Sequence, residues 1–108
     1  MSDNILTPED AVLKDWLSIS DKQLLFVVWY VDNLGQLMEI RKVLERLQKI
    51  QIDFRTDFRA INKNYKLAAK LGVKNEVTVL MFKDHELLEI IGPEVGTKKL
   101  LRVLGKYV

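Results

Sequence analysis

Few side chains in this sequence could carry acid–base or metal chemistry. The chain has 108 residues, with one histidine and no cysteine. Without cysteine there is no thiol nucleophile, disulfide or thiolate metal site, and His85 alone cannot assemble a histidine-based zinc site. No nucleophile motif, phosphate-binding loop or dinucleotide-binding glycine pattern is present. We therefore expect neither a metal nor a cofactor.

Two carboxylates are spaced as a general acid and base could be. Asp53 and Asp57 lie four residues apart on one face of a predicted strand. Because they alternate with Arg55 and Arg59, we interpret them instead as part of a solvated, charged strand face. His85 lies in a predicted turn between two acidic residues, with no second group converging on it, and is interpreted as a solvated turn histidine rather than a catalyst or ligand.

Composition predicts a single folded domain spanning residues 1–108. Apolar residues make up 48% and charged residues 30% of the chain, which are ordinary globular values. The net charge is +2 with no basic stripe, which disfavours nucleic-acid binding. The longest apolar run is far shorter than the ~20 residues of a membrane span, and the N-terminus lacks a signal-peptide core. We expect a cytoplasmic protein that binds neither nucleic acid nor membranes.

Hydrophobic periodicity predicts the order helix, strand, helix, strand, helix, strand, strand, helix. The uninterrupted apolar run at residues 24–31 indicates a central strand covered on both faces. Strands follow at residues 52–59, 76–82 and 86–91. The last helix begins near Thr97, with Leu100, Leu101, Leu104 and Tyr107 inward. A helical crossover makes the first two strands parallel, and a tight turn makes the last two antiparallel. The predicted fold is an α/β three-layer sandwich, with a mixed four-stranded sheet and helices on both faces.

Three segments resemble landmarks of the thioredoxin family. Residues 24–37 resemble its strand, tryptophan, Cys-x-x-Cys loop and helix, with Trp29 at the tryptophan position. Residues 65–83 resemble its helix that ends in glycine before a strand, and Gly92 before the terminal helix resembles the third landmark. The resemblance implies a thioredoxin-like fold over most of residues 22–104.

The positions at which the family does its chemistry are all substituted. Asn33 and Gln36 stand in place of the two cysteines, Val27 replaces the buried aspartate, and Val77 replaces the cis-proline. Disulfide exchange needs a thiolate and a second, resolving thiol. The resemblance therefore implies a redox-inactive member that is not a thiol enzyme.

The same alignment suggests a binding surface at the end of the sheet, where the family has a groove for extended polypeptide. Its members are Trp29, Tyr30, Asp32, Leu34, Val77 and Gly92. In the alternative interpretation Trp29 and Leu34 only cap the core, and Asp32 or Asn33 caps the following helix.

Three functions are compatible with this resemblance. The leading hypothesis is a noncatalytic protein-interaction, adaptor or chaperone-like module with a protein partner. The alternative is a small-ligand-binding or non-thiol enzymatic domain, although relatives that bind glutathione usually retain the proline that Val77 replaces. A third hypothesis is a homodimer formed through the strand around residues 53–59 or the region around Val77.

Overall fold

The computed structural model describes residues 7–31, 34–50, 53–92 and 96–106. Within these ranges, helices and strands follow one another in the predicted order. The helices are α1 (Pro8–Ser20), α2 (Leu34–Lys49), α3 (Tyr65–Leu71) and α4 (Thr97–Leu104), and the strands are β1 (Leu24–Tyr30), β2 (Phe54–Ala60), β3 (Thr78–Lys83) and β4 (Glu86–Ile91). A short 3-10 turn, Ile61–Lys63, follows β2.

The four strands form one mixed sheet in the order β2-β1-β3-β4. β1 is parallel to β2, antiparallel to β3, and buried at every position except its two ends. β3 and β4 form an antiparallel hairpin. The sequence therefore predicted the mixed sheet correctly, because a helical crossover and a tight turn each allow one relative strand direction.

Helices cover both faces of the sheet, which confirms the three-layer α/β sandwich. On one face α2 and α4 pack against the even-numbered residues of β1, including Phe26 and Val28. On the other face α1 and α3 pack against Leu25, Val27 and Trp29. A strand covered on both sides needs apolar side chains at consecutive positions, which explains the uninterrupted run in the sequence.

Local chemistry sets several element ends. The Thr7 hydroxyl accepts a hydrogen bond from the Asp10 backbone N–H at 3.1 Å and caps α1, whose first residue is proline. Gly72, with φ of +75°, ends α3 in the left-handed conformation. Asp84 and His85 both have positive φ, as a tight two-residue hairpin turn requires.

Three details of the predicted elements are wrong. The strand expected at residues 52–59 is described from Phe54 to Ala60, with Ile52 outside the described residues. β3 begins at Thr78 rather than at residue 76, because strand ends depend on pairing with neighbouring strands. Leu101 is 38% exposed, and Val103, which was not predicted to face inward, is buried. Tyr107 lies outside the described residues. Within the described ranges, no helix combines the length and apolar character needed to cross a bilayer.

Candidate functional site

The predicted binding surface lies at the end of the sheet where β1 ends and β3 begins. Trp29 pairs with Thr78 of β3, and Tyr30 ends β1 beside the last residue of β2. Gly92 follows the last residue of β4 and reaches the backbone of Val77. The fold thus brings Tyr30, Val77 and Gly92 together, although they are far apart in the sequence.

Gly92 packs against the chain segment that leads into β3. Its φ is +152°, and a Cβ atom at this position would lie 2.5 Å from the Val77 carbonyl oxygen and 3.1 Å from the Thr78 Cα. No side chain fits at that distance from backbone atoms, so the position requires glycine. The Thr78 hydroxyl donates a hydrogen bond of 3.0 Å to the Glu76 carbonyl, which holds the same segment.

Two members of the predicted surface supply no exposed side chain. Trp29 is 0% exposed and Val77 is 5% exposed. The Trp29 ring packs edge-on against Trp16 of α1, with centroids 6.2 Å apart. Trp29 is therefore a core residue of the layer formed by α1 and α3, as the alternative interpretation proposes. Tyr30 is half-buried and Gly92 is exposed, so these two remain accessible.

Other predicted members cannot be placed. Asp32 and Asn33 lie outside the described residues, and the side chains of Leu34 and Gln36 are likewise not described. Their part in a binding surface stays a prediction. One exposed apolar residue near this end was not singled out from the sequence: Met38, in the second turn of α2, is 59% exposed.

An acidic residue lies next to Val27, which the resemblance aligns with the buried aspartate of thioredoxins. Val27 is fully buried, and its register partner on β2 is Asp57. The Asp57 Oδ2 atom accepts hydrogen bonds from Trp16 Nε1 at 2.8 Å and from Arg59 Nε at 3.1 Å. The Arg59 guanidinium also lies over the Trp16 ring, 5.4 Å from its centroid.

The interpretation of Asp57 as part of a solvated, charged strand face is therefore wrong. Its carboxylate is half-buried and held by an indole that comes from a different layer of the fold. The alternation of charged residues along β2 could not reveal this contact, because Trp16 precedes Asp57 by 41 residues. Asp53, by contrast, is exposed, and its carboxylate accepts a hydrogen bond from Gln23 at 3.3 Å.

His85 helps attach the β3–β4 hairpin to α1. The imidazole is exposed, with Nδ1 3.0 Å from the Asp21 carboxylate. The buried Ser20 hydroxyl accepts a hydrogen bond from the His85 backbone N–H, and the Ser20 carbonyl accepts one from Asp84. These contacts favour a structural role for the turn. No group of three or more potential metal-ligating side chains occurs within the described ranges.

Two clefts are lined by described residues other than those of the predicted surface. One, of about 190 Å³, lies between the first turns of α1 and α3 and includes Lys63 and the exposed Tyr65. The other, of about 150 Å³, is a groove between α2 and β2. The groove is lined by Arg41, Leu44, Glu45, Gln48, Phe54, Thr56 and Phe58.

Comparison with known proteins finds likeness in structure only. No family model and no curated protein matches the sequence. A mutant thioredoxin from Halobacterium salinarum is similar with a TM-score of 0.70 at 23% identity, over 96% of both chains. Thioredoxin from Fasciola hepatica is similar with a TM-score of 0.69 at 20% identity, over 91% of this chain and 93% of that one.

A third structure is similar over a smaller part of the chain. It is a thioredoxin-2 described as a component of the malaria parasite protein secretion machinery, with a TM-score of 0.65 at 20% identity. The match covers 79% of this chain and 84% of that chain. Together with the sheet order and the helical layers, these likenesses establish that this cysteine-free chain has a thioredoxin-like fold.

Proposed function

We propose that this chain is a noncatalytic protein-binding module, of adaptor or chaperone-like type, that binds a partner at the end of the sheet around Tyr30 and Gly92. Thiol exchange is unavailable to a chain without cysteine. The partner would be met in the cytoplasm, where the chain is expected to work.

The close approach of Gly92 to the Val77 carbonyl is the observation that carries this proposal. Gly92 packs directly against the buried segment at Val77 and is itself exposed, so its own backbone is accessible at the end of the sheet. Tyr30 adds a half-exposed aromatic ring, a residue type enriched at protein interfaces. An extended peptide can use both features, since it binds through backbone hydrogen bonds and a few side-chain anchors.

Met38 offers a second apolar contact beside this surface. It is 59% exposed and lies in the second turn of α2, which begins near the end of β1. The flexible thioether of methionine adapts to different partner shapes and is common on protein-binding surfaces. Ile50, just beyond the other end of α2, is similarly exposed at 53%. At 1.5 Å per residue these two positions are roughly 18 Å apart, so they form a matched pair of probes.

Photocrosslinking from Tyr30 tests the proposal. A photoreactive phenylalanine analogue replaces Tyr30 in one variant and the equally aromatic, exposed Tyr65 in the control. Irradiation in native cell extract should give a discrete protein adduct from position 30 and not from position 65. Excess unlabelled protein carrying Ile50→Glu should compete as well as wild type, whereas Met38→Glu should compete poorly.

Two results would overturn the proposal. One is the absence of a protein adduct from position 30 in folded protein, which would favour the small-ligand alternative. The other is equal competition by the two glutamate variants together with the same adducts from both tyrosine positions, which would place any interface elsewhere.

A further inference from the structure

β2 forms one edge of the sheet that the described residues build. Among the described residues it pairs only with β1, so the backbone groups on its other side have no strand partner. Most of its side chains are exposed or half-buried. An edge of this kind can pair with another strand, and charged residues such as those on β2 normally prevent indiscriminate pairing.

The segment from Asp53 to Arg59 is complementary to itself when read in reverse, which favours a second copy of this chain as its partner. Read in the reverse direction, the segment carries the opposite charge at every charged position and the same residue at every uncharged position. An antiparallel second copy centred on Thr56 therefore has a complementary residue opposite each position. The facing pairs are Asp53 with Arg59, Phe54 with Phe58, Arg55 with Asp57, and Thr56 with itself. We propose that β2 pairs with β2 of a second copy of this chain in this register and forms a symmetric dimer with one continuous sheet.

Neighbouring registers are unfavourable. A slide by one residue would set outward-facing backbone groups against groups that face β1, so hydrogen bonds could not form. A slide by two residues in one direction sets Arg55 against itself and Asp53 against Asp57. A slide by two in the other direction sets Asp57 against itself and Arg55 against Arg59. Like charges directly opposite each other destabilise a strand pair, whereas the proposed register contains only opposite charges.

The two faces of β2 are arranged for such pairing. Asp57 and Arg59 lie on the face covered by α1, where both are held against Trp16. All described contacts of the Asp57 carboxylate use Oδ2, so Oδ1 can accept a hydrogen bond from Arg55 of the second copy. Arg55 is exposed, with no side-chain partner within the described ranges. The dimer would pair Arg55 with Asp57 and Asp53 with Arg59 of the second copy, and the core would not have to repack.

The other face of β2 opens on the groove beneath α2. Phe54 is buried there, and Phe58 is half-buried under the Arg41 guanidinium, which lies 4.9 Å from the ring centroid. Thr56 lies between the two rings and is exposed. In the dimer the second copy would place a phenylalanine opposite each of these rings, and aromatic pairs are among the favourable cross-strand contacts.

Cysteine crosslinking tests the register directly, because the chain contains no cysteine of its own. Thr56 is the one position of this strand that faces itself, and opposed residues of an antiparallel pair have Cα atoms ~4.5–5.5 Å apart, within disulfide range. Thr56→Cys should form a disulfide-linked dimer under mild oxidation. Arg55→Cys, whose copies would be diagonal neighbours about 7–8 Å apart, should crosslink poorly. Equal crosslinking of the two variants, or none from Thr56→Cys, would overturn the proposed register.

A charge exchange tests the interface without changing the net charge. The double variant Asp53→Arg, Arg55→Asp alters two exposed residues and turns every facing charge pair into a like-charge pair. Its dimer dissociation constant, measured by sedimentation equilibrium, should rise by about tenfold or more. The control Glu39→Lys, Lys42→Glu exchanges two exposed charges on α2 and should leave the constant unchanged. Circular dichroism verifies that both variants remain folded.

Two outcomes of the sedimentation equilibrium experiment would refute dimerisation through β2. A wild-type mass that stays monomeric over the whole concentration range would show that this edge does not bind a second copy, whether it is left bare or is covered by another segment or protein. A dimer that is equally stable in the Asp53→Arg, Arg55→Asp variant would place self-association on a different surface.

Discussion

Replacing Gly92 with alanine should destabilise the fold more than alanine at any other described glycine outside the helices. A backbone φ of +152° is a strained conformation for a residue with a Cβ atom, at a cost of ~1–3 kcal/mol. The new Cβ would also lie 2.5 Å from the Val77 carbonyl oxygen, a backbone atom that cannot rotate away. Relieving an overpacked contact of this kind costs a further ~1–3 kcal/mol.

The combined destabilisation of about 4 kcal/mol is large for a domain whose total stability is ~5–15 kcal/mol. It corresponds to a lowering of the melting temperature by roughly 15 °C or more. Urea unfolding followed by circular dichroism measures the change in the free energy of unfolding, and calorimetry measures the melting temperature.

Alanine variants at two other glycines distinguish the energetic cost of backbone strain from that of steric contact. Gly72 has a φ of +75°, but a Cβ atom added there would have no neighbour within 4 Å, so Gly72→Ala should cost only the ~1–2 kcal/mol of the left-handed conformation. Gly105 has a helical φ of −60° and no contact closer than 3.4 Å, so Gly105→Ala should be close to neutral. A Gly92→Ala variant no less stable than Gly72→Ala would refute the close approach to Val77.

Three further predictions concern the buried tryptophans and the contacts of the β3–β4 turn. Trp16→Phe should destabilise the protein by ~2 kcal/mol more than Trp29→Phe in urea unfolding, since the Trp16 indole donates to a carboxylate while the buried Trp29 Nε1 has no partner within the described ranges. Equal losses would argue against that hydrogen bond. Ser20→Ala should cost ~1–2 kcal/mol because it leaves the His85 backbone N–H without its acceptor, and hydrogen exchange at that amide should accelerate. The double variant Asp84→Asn, His85→Gly should raise the melting temperature by a few degrees, because Asn-Gly suits two successive positive φ angles. An unchanged melting temperature would mean that loss of the imidazole contact with Asp21, at the end of α1, cancels the gain from the turn.

The order of elements and the layer arrangement were predictable from local patterns. The unbroken apolar run of β1 indicated burial on both faces, and Gly72 marked the end of α3, because each signal depends on residues close together in the sequence. The resemblance to thioredoxins also predicts which active-site positions are substituted, and two of these residues, Val27 and Val77, are buried in the structure.

Side-chain roles at the site were less accessible to sequence reasoning. Trp29 could have been an exposed anchor or a core residue, and the packing of α1 across the sheet buries it against Trp16. The requirement for glycine at position 92 depends on its approach to Val77, and only the pairing of β3 with β4 brings these residues together.

The sequence by itself determined that the chain lacks thiol chemistry, because composition alone excludes a cysteine nucleophile. It also determined the charge pattern of residues 53–59, which is complementary to its own reverse. The tertiary structure decided that this strand lies at the edge of the sheet formed by the described residues and that Asp57 binds Trp16, since both depend on contacts between residues distant in sequence. Local propensity specifies which elements form, whereas long-range packing determines which of their side chains are exposed for binding.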